Sequence, residues 1–170
     1  MKKTTIGLVL VSFIVCVALA WAGTKKGAEE KMAELPKAEG AAVYTFITTA
    51  SKYQDWPLWP GKEKMYKGQP PHGAFLTTYI NDAAKSAIDA GTVMGAGAMI
   101  VKENYSPEKQ LAAVTVMYKV AGFNPEANDW FWAKYKADGT VEKEGKVEGC
   151  IKCHAAKKAN DYVFTGEFVK

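Results

Sequence analysis

The chain reads as an α+β fold in which a β-rich body carries a few short helices, and three observations predict it. Past Pro70-Pro71 the pattern changes from helical spacing to runs rich in β-branched and aromatic residues, over 74–80, 99–105, 111–120 and 130–136. Turn formers separate these runs: Ser106-Pro107, Gly122-Phe123-Asn124-Pro125 and Asp138-Gly139. The composition is that of one globular domain, 170 residues with 48% hydrophobic, 12% aromatic and three Cys, which argues against a disordered or disulfide-stapled chain.

Taken in order, Lys2 and Lys3 precede an apolar run from Ile6 to Ala20, and Ala20-Trp21-Ala22 before Gly23 has the small-x-small form of a cleavage site. Residues 1–22 therefore read as a signal peptide and the protein as periplasmic. An uncleaved N-terminal anchor is the alternative, since residues 4–24 carry no charge and are long enough to cross a bilayer. Cys16 follows Val15 instead of a small residue, which does not suit lipid attachment, and it leaves with the signal. Cys150 and Cys153 remain. A domain of this size needs no disulfide to hold its core, so two cysteines three apart must be explained by chemistry.

Residues 23–40 are rich in Lys, Glu and Ala and broken by Pro36, a helical lead-in to the domain at 41–170. Val43, Phe46, Ile47 and Ala50 are spaced as on a helix over 41–55, which Trp56-Pro57-Leu58-Trp59-Pro60-Gly61 must end. A Lys- and Gly-rich loop then runs to Pro71. Asn81 or Asp82 caps a helix through Ala90 that Gly91 stops. The last expected elements are a helix around 147–158 and a strand from Tyr162 to Val169. All 22 basic residues are Lys, with no dense block and no Arg, which argues against a nucleic-acid partner, and the net charge of +4 adds little beyond solubility.

Gly149-Cys150-Ile151-Lys152-Cys153-His154 is C-x-x-C-H, the attachment signature of c-type haem. Each thiol adds to a vinyl group, and the adjacent His154 is carried under the iron as its proximal ligand. Export agrees with this, because bacterial c-type haem is attached on the periplasmic side. Two other readings of C-x-x-C exist. Zinc needs four ligands, and beyond the cysteines the chain offers only His72 and His154 plus carboxylates. A thioredoxin-like redox pair belongs near the start of a βαβ unit, whereas this pair lies close to the C-terminus. A sixth iron ligand must come from upstream, where His72, Met65, Met94, Met99 and Met117 stand, though each Met also reads as core filler.

The order of these features resembles the cytochrome P-460 and cytochrome c′-beta family. The resemblance rests on the Trp56/Trp59 proline loop, Pro71-His72-Gly73 before Tyr79-Ile80-Asn81, Ile100-Val101-Lys102-Glu103, Asn128-Asp129-Trp130, the C-terminal haem motif and Asp161-Tyr162-Val163-Phe164. It implies a curved, mainly antiparallel sheet with flanking helices, haem held on one face, and usually a homodimer. It also implies an iron with an open distal site for nitric oxide or hydroxylamine. Lys102 looks like the lysine that P-460 members join covalently to the haem ring; the other reading is a strand lysine with its amine in water. Strand alternation puts Met99, Val101 and Glu103 on one face and Ile100, Lys102 and Asn104 on the other, without saying which meets the haem.

Hydroxylamine-oxidising members carry a distal carboxylate downstream of the lysine strand, and Ala112 to Val120 here contains none. Glu103 can replace it only by turning inward, at a desolvation cost. His72 lies near a position where relatives place an aromatic cap, which makes it a candidate distal base, hydrogen-bond donor or sixth ligand, or simply a histidine bonded to backbone. Counting alternation from Gly73, Phe75 and Tyr79 are candidate distal-wall or core residues. Three functions follow: a nitric oxide-binding haem protein, a hydroxylamine or nitric oxide oxidoreductase passing electrons to a soluble cytochrome, and an electron-transfer cytochrome with His72 or Met as sixth ligand. Whether the protein is an enzyme is left open by the sequence.

Overall fold

The computed structural model describes residues 34–170. The signal peptide or anchor at 1–22, and 23–33 of the lead-in, lie outside the described residues. Residues 34–39 are irregular, and the Tyr118 hydroxyl donates to the Pro36 carbonyl at 3.0 Å, tying this segment to the sheet.

Six strands form one antiparallel sheet in chain order: β1 (Tyr66–Lys67), β2 (Phe75–Ile80), β3 (Met99–Tyr105), β4 (Leu111–Lys119), β5 (Trp130–Lys136) and β6 (Val141–Gly145). The four strands expected from composition occupy the expected positions. β1 and β6 were not legible: β1 is two residues long, and Val-Glu-Lys-Glu-Gly is a polar edge strand that buries almost nothing. The register sets Thr78, Lys102, Thr115, Lys134 and Lys143 in one row across the sheet. Ile80, Ile100, Met117 and Trp132 form the next row on the same face, while Tyr79, Val101, Val116 and Ala133 form the row between, on the opposite face.

The first of the two faces to be closed is covered by the N-terminal segment. Helix α1 (Gly40–Thr45) runs on as a π-helical turn over Phe46–Ala50, and a short 3-10 turn follows at Tyr53–Asp55. The single helix expected over 41–55 is therefore divided. The Thr48 hydroxyl donates to the Tyr44 carbonyl at 2.7 Å and that of Thr49 to the Thr45 carbonyl at 2.6 Å, competing with the backbone for the carbonyls that would continue the helix. Val43, Ile47 and Tyr53 pack there on Tyr79, Val101, Val116, Phe131 and Tyr135, all buried.

The second face meets α2 (Asp82–Ala90), α3 (Glu148–His154) and the C-terminal segment. Asn81 caps α2 by accepting from the Ala84 amide at 3.1 Å, and Gly91 ends it in the left-handed conformation, φ 68°, as the sequence predicts. Helix α3 is followed by a 3-10 turn, Ala155–Asn160. The expected strand from Tyr162 to Val169 does not form. Asp161 and Tyr162 are left-handed, φ 53° and 65°, and the Asn160 side chain donates to the carbonyls of Val163 and Gly166 and accepts from the amides of Phe168 and Val169. A side chain thus takes the backbone groups that a ladder would use.

Candidate functional site

Helix α3 carries Cys150, half-buried, and Cys153, exposed, not bonded to each other, three residues apart and so on one side of the helix. His154 ends the helix with only 9% of its surface exposed. Its Nδ1 lies 2.6 Å from the Tyr162 carbonyl. A carbonyl only accepts, so Nδ1 bears the proton and Nε2 keeps a bare lone pair. Burial pushes the imidazole pKa down to about 4, against the pull of that same bond, so the ring is neutral at physiological pH. The Trp132 and Phe164 rings meet it edge-on, with centroids at 4.7 and 5.3 Å.

The carbonyl beneath His154 is held in place by the left-handed reversal at Asp161-Tyr162. The Asp161 carboxylate, fully buried, accepts from Lys119 Nζ at 2.6 Å, Asn128 Nδ2 at 2.9 Å and the Met94 amide at 3.0 Å, and the Trp130 indole donates to the Asp161 carbonyl at 2.9 Å. A buried charge with that many partners fixes an otherwise disfavoured backbone turn.

His72 arrives from the loop between β1 and β2. Gly73, which follows it, lies so flat on β3 that a Cβ there would strike the Tyr105 backbone, so only glycine fits. His72 Nδ1 is 2.9 Å from Asn104 Oδ1. The Asn104 amide nitrogen donates to the Lys102 and Ala113 carbonyls at 2.9 and 3.2 Å, which settles which end of the amide faces the imidazole. His72 Nδ1 is therefore the donor, and its Nε2 is bare as well. Its partner is a side chain, not the backbone acceptor that the sequence left open. Burial pushes its pKa down too. The two imidazole rings stand 6.3 Å apart, centroid to centroid, with their planes at 85°.

These residues border a cavity of about 990 Å³ on the second face of the sheet. That is the upper end of the roughly 300–1,000 Å³ of small-molecule sites. Its walls are apolar at Leu76, Ile100, Met117, Trp132, Val163 and Phe164, and Lys62, Lys67, Lys102, Lys134 and Lys143 line it. Among the described residues that line it, none is Asp or Glu. Trp132 Nε1 is buried there without a hydrogen-bond partner. Two thiols, a bare imidazole nitrogen, flat apolar walls and ammonium groups for two propionates are a donor set that fits haem c. Among the described residues no cluster of three or more His, Cys, Asp or Glu forms, which disfavours the zinc reading.

The cavity thus brings together Cys150, Cys153, His154, His72 and Lys102. Burial and the neighbouring Lys62 push the Lys102 amine down to about 8. Three expected residues lie elsewhere. Glu103 points to the opposite face, 7% exposed, and accepts from the Tyr53 and Tyr105 hydroxyls at 3.0 and 2.7 Å. Phe75 and Tyr79 share that opposite register; Tyr79 packs edge-on against Tyr53 at 5.3 Å, and Lys109 Nζ sits 5.4 Å over the Phe75 ring. Their alternation was counted one residue out, because His72, Leu76 and Asn104 are the positions that look into the cavity. Of the methionines considered as ligands, only Met117 lines the cavity. Asn104, Trp132 and the Tyr162 carbonyl went unassigned from sequence, and only Asn104 left a signal, its shared face with Lys102.

The cytochrome P460 family model matches residues 50–165, well over half of the chain. No curated protein matches it.

Proposed function

Because the chain belongs to the cytochrome P460 family and is a haem c cytochrome of that type, we propose that it binds a small neutral nitrogen ligand, nitric oxide foremost, and does not oxidise hydroxylamine. The observation that carries this reading is the cavity lining, five lysines and no carboxylate among the described residues. When bound, haem would supply a redox-active iron able to take a small ligand. Cys150 and Cys153 hold its ring by thioethers, and His154 offers Nε2 to the iron, kept neutral by burial and in one tautomer by the Tyr162 carbonyl.

Oxidising hydroxylamine releases protons and needs a base within about 2.6–3.2 Å of the substrate. Glu103, the strand's own carboxylate, is bonded to two tyrosines behind the sheet. His72, the neutral imidazole on the cavity, would have to take up those protons as a cation against its burial and the neighbouring Lys102 and Lys134, which hold its pKa down. A ring of ammonium groups opposes the build-up of released protons, whereas an uncharged diatomic ligand is indifferent to that field. In this reading the protein is exported through the leader at 1–22 to the periplasm and works there as a homodimer that exchanges electrons with a soluble cytochrome. Titrating the reduced holo-protein with nitric oxide is expected to give a 1:1 spectral change. With hydroxylamine and an oxidised acceptor cytochrome, no reduction above the protein-free rate is expected; sustained turnover would restore the enzyme reading. The placement of His72 opposite His154 favours a second reading, an electron carrier.

A further inference from the structure

We propose that His72 is the iron's second axial ligand at rest, opposite His154, and that a small ligand binds by displacing it. The displacement clause rests on the proposed function; the axial ligation does not.

Three observations agree. Both rings have Nδ1 engaged with an acceptor, so both present Nε2, the nitrogen with a free lone pair. Their separation suits one metal between them. A metal–imidazole bond of about 2 Å on each side, with roughly 1.2 Å more from each nitrogen to its ring centre, places the centroids roughly 6.4 Å apart, against 6.3 Å observed. Finally, the residue that aims His72 is itself aimed: Asn104 sits two residues beyond Lys102 on the cavity face, its amide clamped by carbonyls of β3 and β4.

The two axial positions are not held alike. His154 stands on a helix, is nearly buried, and bonds a carbonyl anchored through buried Asp161. His72 stands on a loop whose Gln69, Pro70 and Pro71 are exposed, and its ring is held by one side-chain bond next to the β3 register shift at Asn104/Tyr105. When a competing ligand arrives, His72 is the one that lets go. The resting iron is then closed, and the fraction open at any moment scales the apparent affinity for the incoming ligand.

Spin state of the ferric holo-protein tests this. The wild type is expected to be low-spin, with the strongly anisotropic resonance of crossed imidazole planes. His72→Ala is expected to be high-spin with the haem still attached, to return to low-spin on adding free imidazole, and to bind nitric oxide roughly 100-fold more tightly, the factor for a competent fraction of about 1%. Asn104→Leu, which keeps the histidine and removes its hold, is expected to give a mixture of spin states and tests the positioning role even if His72→Ala folds poorly. A high-spin wild type overturns the proposal, as does a His72→Ala protein that stays low-spin, with Met117 or a lysine then the ligand. If His72→Ala turns high-spin yet takes up no nitric oxide, the axial assignment stands and the proposed function fails. A high-spin wild type that binds nitric oxide has the opposite meaning.

Discussion

The same four central strands send alternate residues to two faces that are built for different ends. On one, Tyr79, Val101, Val116 and Phe131 close against α1 and its π-helical turn, and the buried charge there, Glu103, has both carboxylate oxygens taken by tyrosine hydroxyls. On the other, Lys102, Met117 and Trp132 line a cavity bordered by two imidazoles, and the buried indole N–H of Trp132 has no hydrogen-bond partner there. Satisfied polar groups and filled volume lower the free energy of the folded chain; unsatisfied ones in a roomy pocket raise it until something binds. One face holds the fold, and the other depends on it to keep a cavity open.

The sharpest way to break this division is to damage each face separately. Phe131 is buried at 1% exposure among Tyr118 and Phe123, so Phe131→Ala is expected to cost about 3–5 kcal/mol in denaturant unfolding while leaving the haem spectrum of the folded fraction unchanged. A shifted spectrum without lost stability would mean that the faces are not independent. Glu103→Leu strands the hydroxyls of Tyr53 and Tyr105 and is expected to cost about 2–4 kcal/mol, with nitric oxide binding unaltered. Were Glu103 a distal base, the same change would abolish turnover with hydroxylamine and spare stability.

Period-two alternation already put Lys102 and Asn104 on one face and Glu103 on the other. It could not say which face was hollow, because a cavity is set by how far α3 stands from the sheet, a tertiary distance with no local trace. The C-x-x-C-H motif was legible because its chemistry is contained in five consecutive residues. The place of Trp132 was not, since an aromatic in a strand looks the same on a cavity wall as in a core. Tyr162 contributes a carbonyl, and a backbone atom leaves no mark on the side-chain pattern. The expected terminal strand failed for the reason that also made the site: Asp161, Tyr162 and Asn160 give up strand geometry to turn the chain under His154.

Lys102 sharpens the comparison from the cavity side. In the holo-protein, proteolysis is expected to release a haem peptide of 150–154 alone and an unmodified Lys102 peptide, as a ring of five ammonium groups requires. A haem peptide that also carries the Lys102 segment would join the amine to the haem and take it out of that ring. In the haem-free chain, made by Cys150→Ala with Cys153→Ala, the amine titrates near 8 when folded against its ordinary 10.5 when unfolded. Between those values the unfolded chain binds more protons, so stability rises with pH, and the cost of the buried cation is fully present below about 8. Lys102→Met is thus expected to raise stability at pH 7 by about 1–2 kcal/mol, after discounting for solvent in the cavity, and to flatten the rise toward pH 10. Tyrosine ionisation belongs above this window: Tyr53 and Tyr79 lie on the opposite face, and Tyr66, on the cavity side, is held above its ordinary value by burial, so the slope is read between pH 8 and 10. A variant with the same pH slope as its parent would place the Lys102 amine in bulk water and remove it from the cavity.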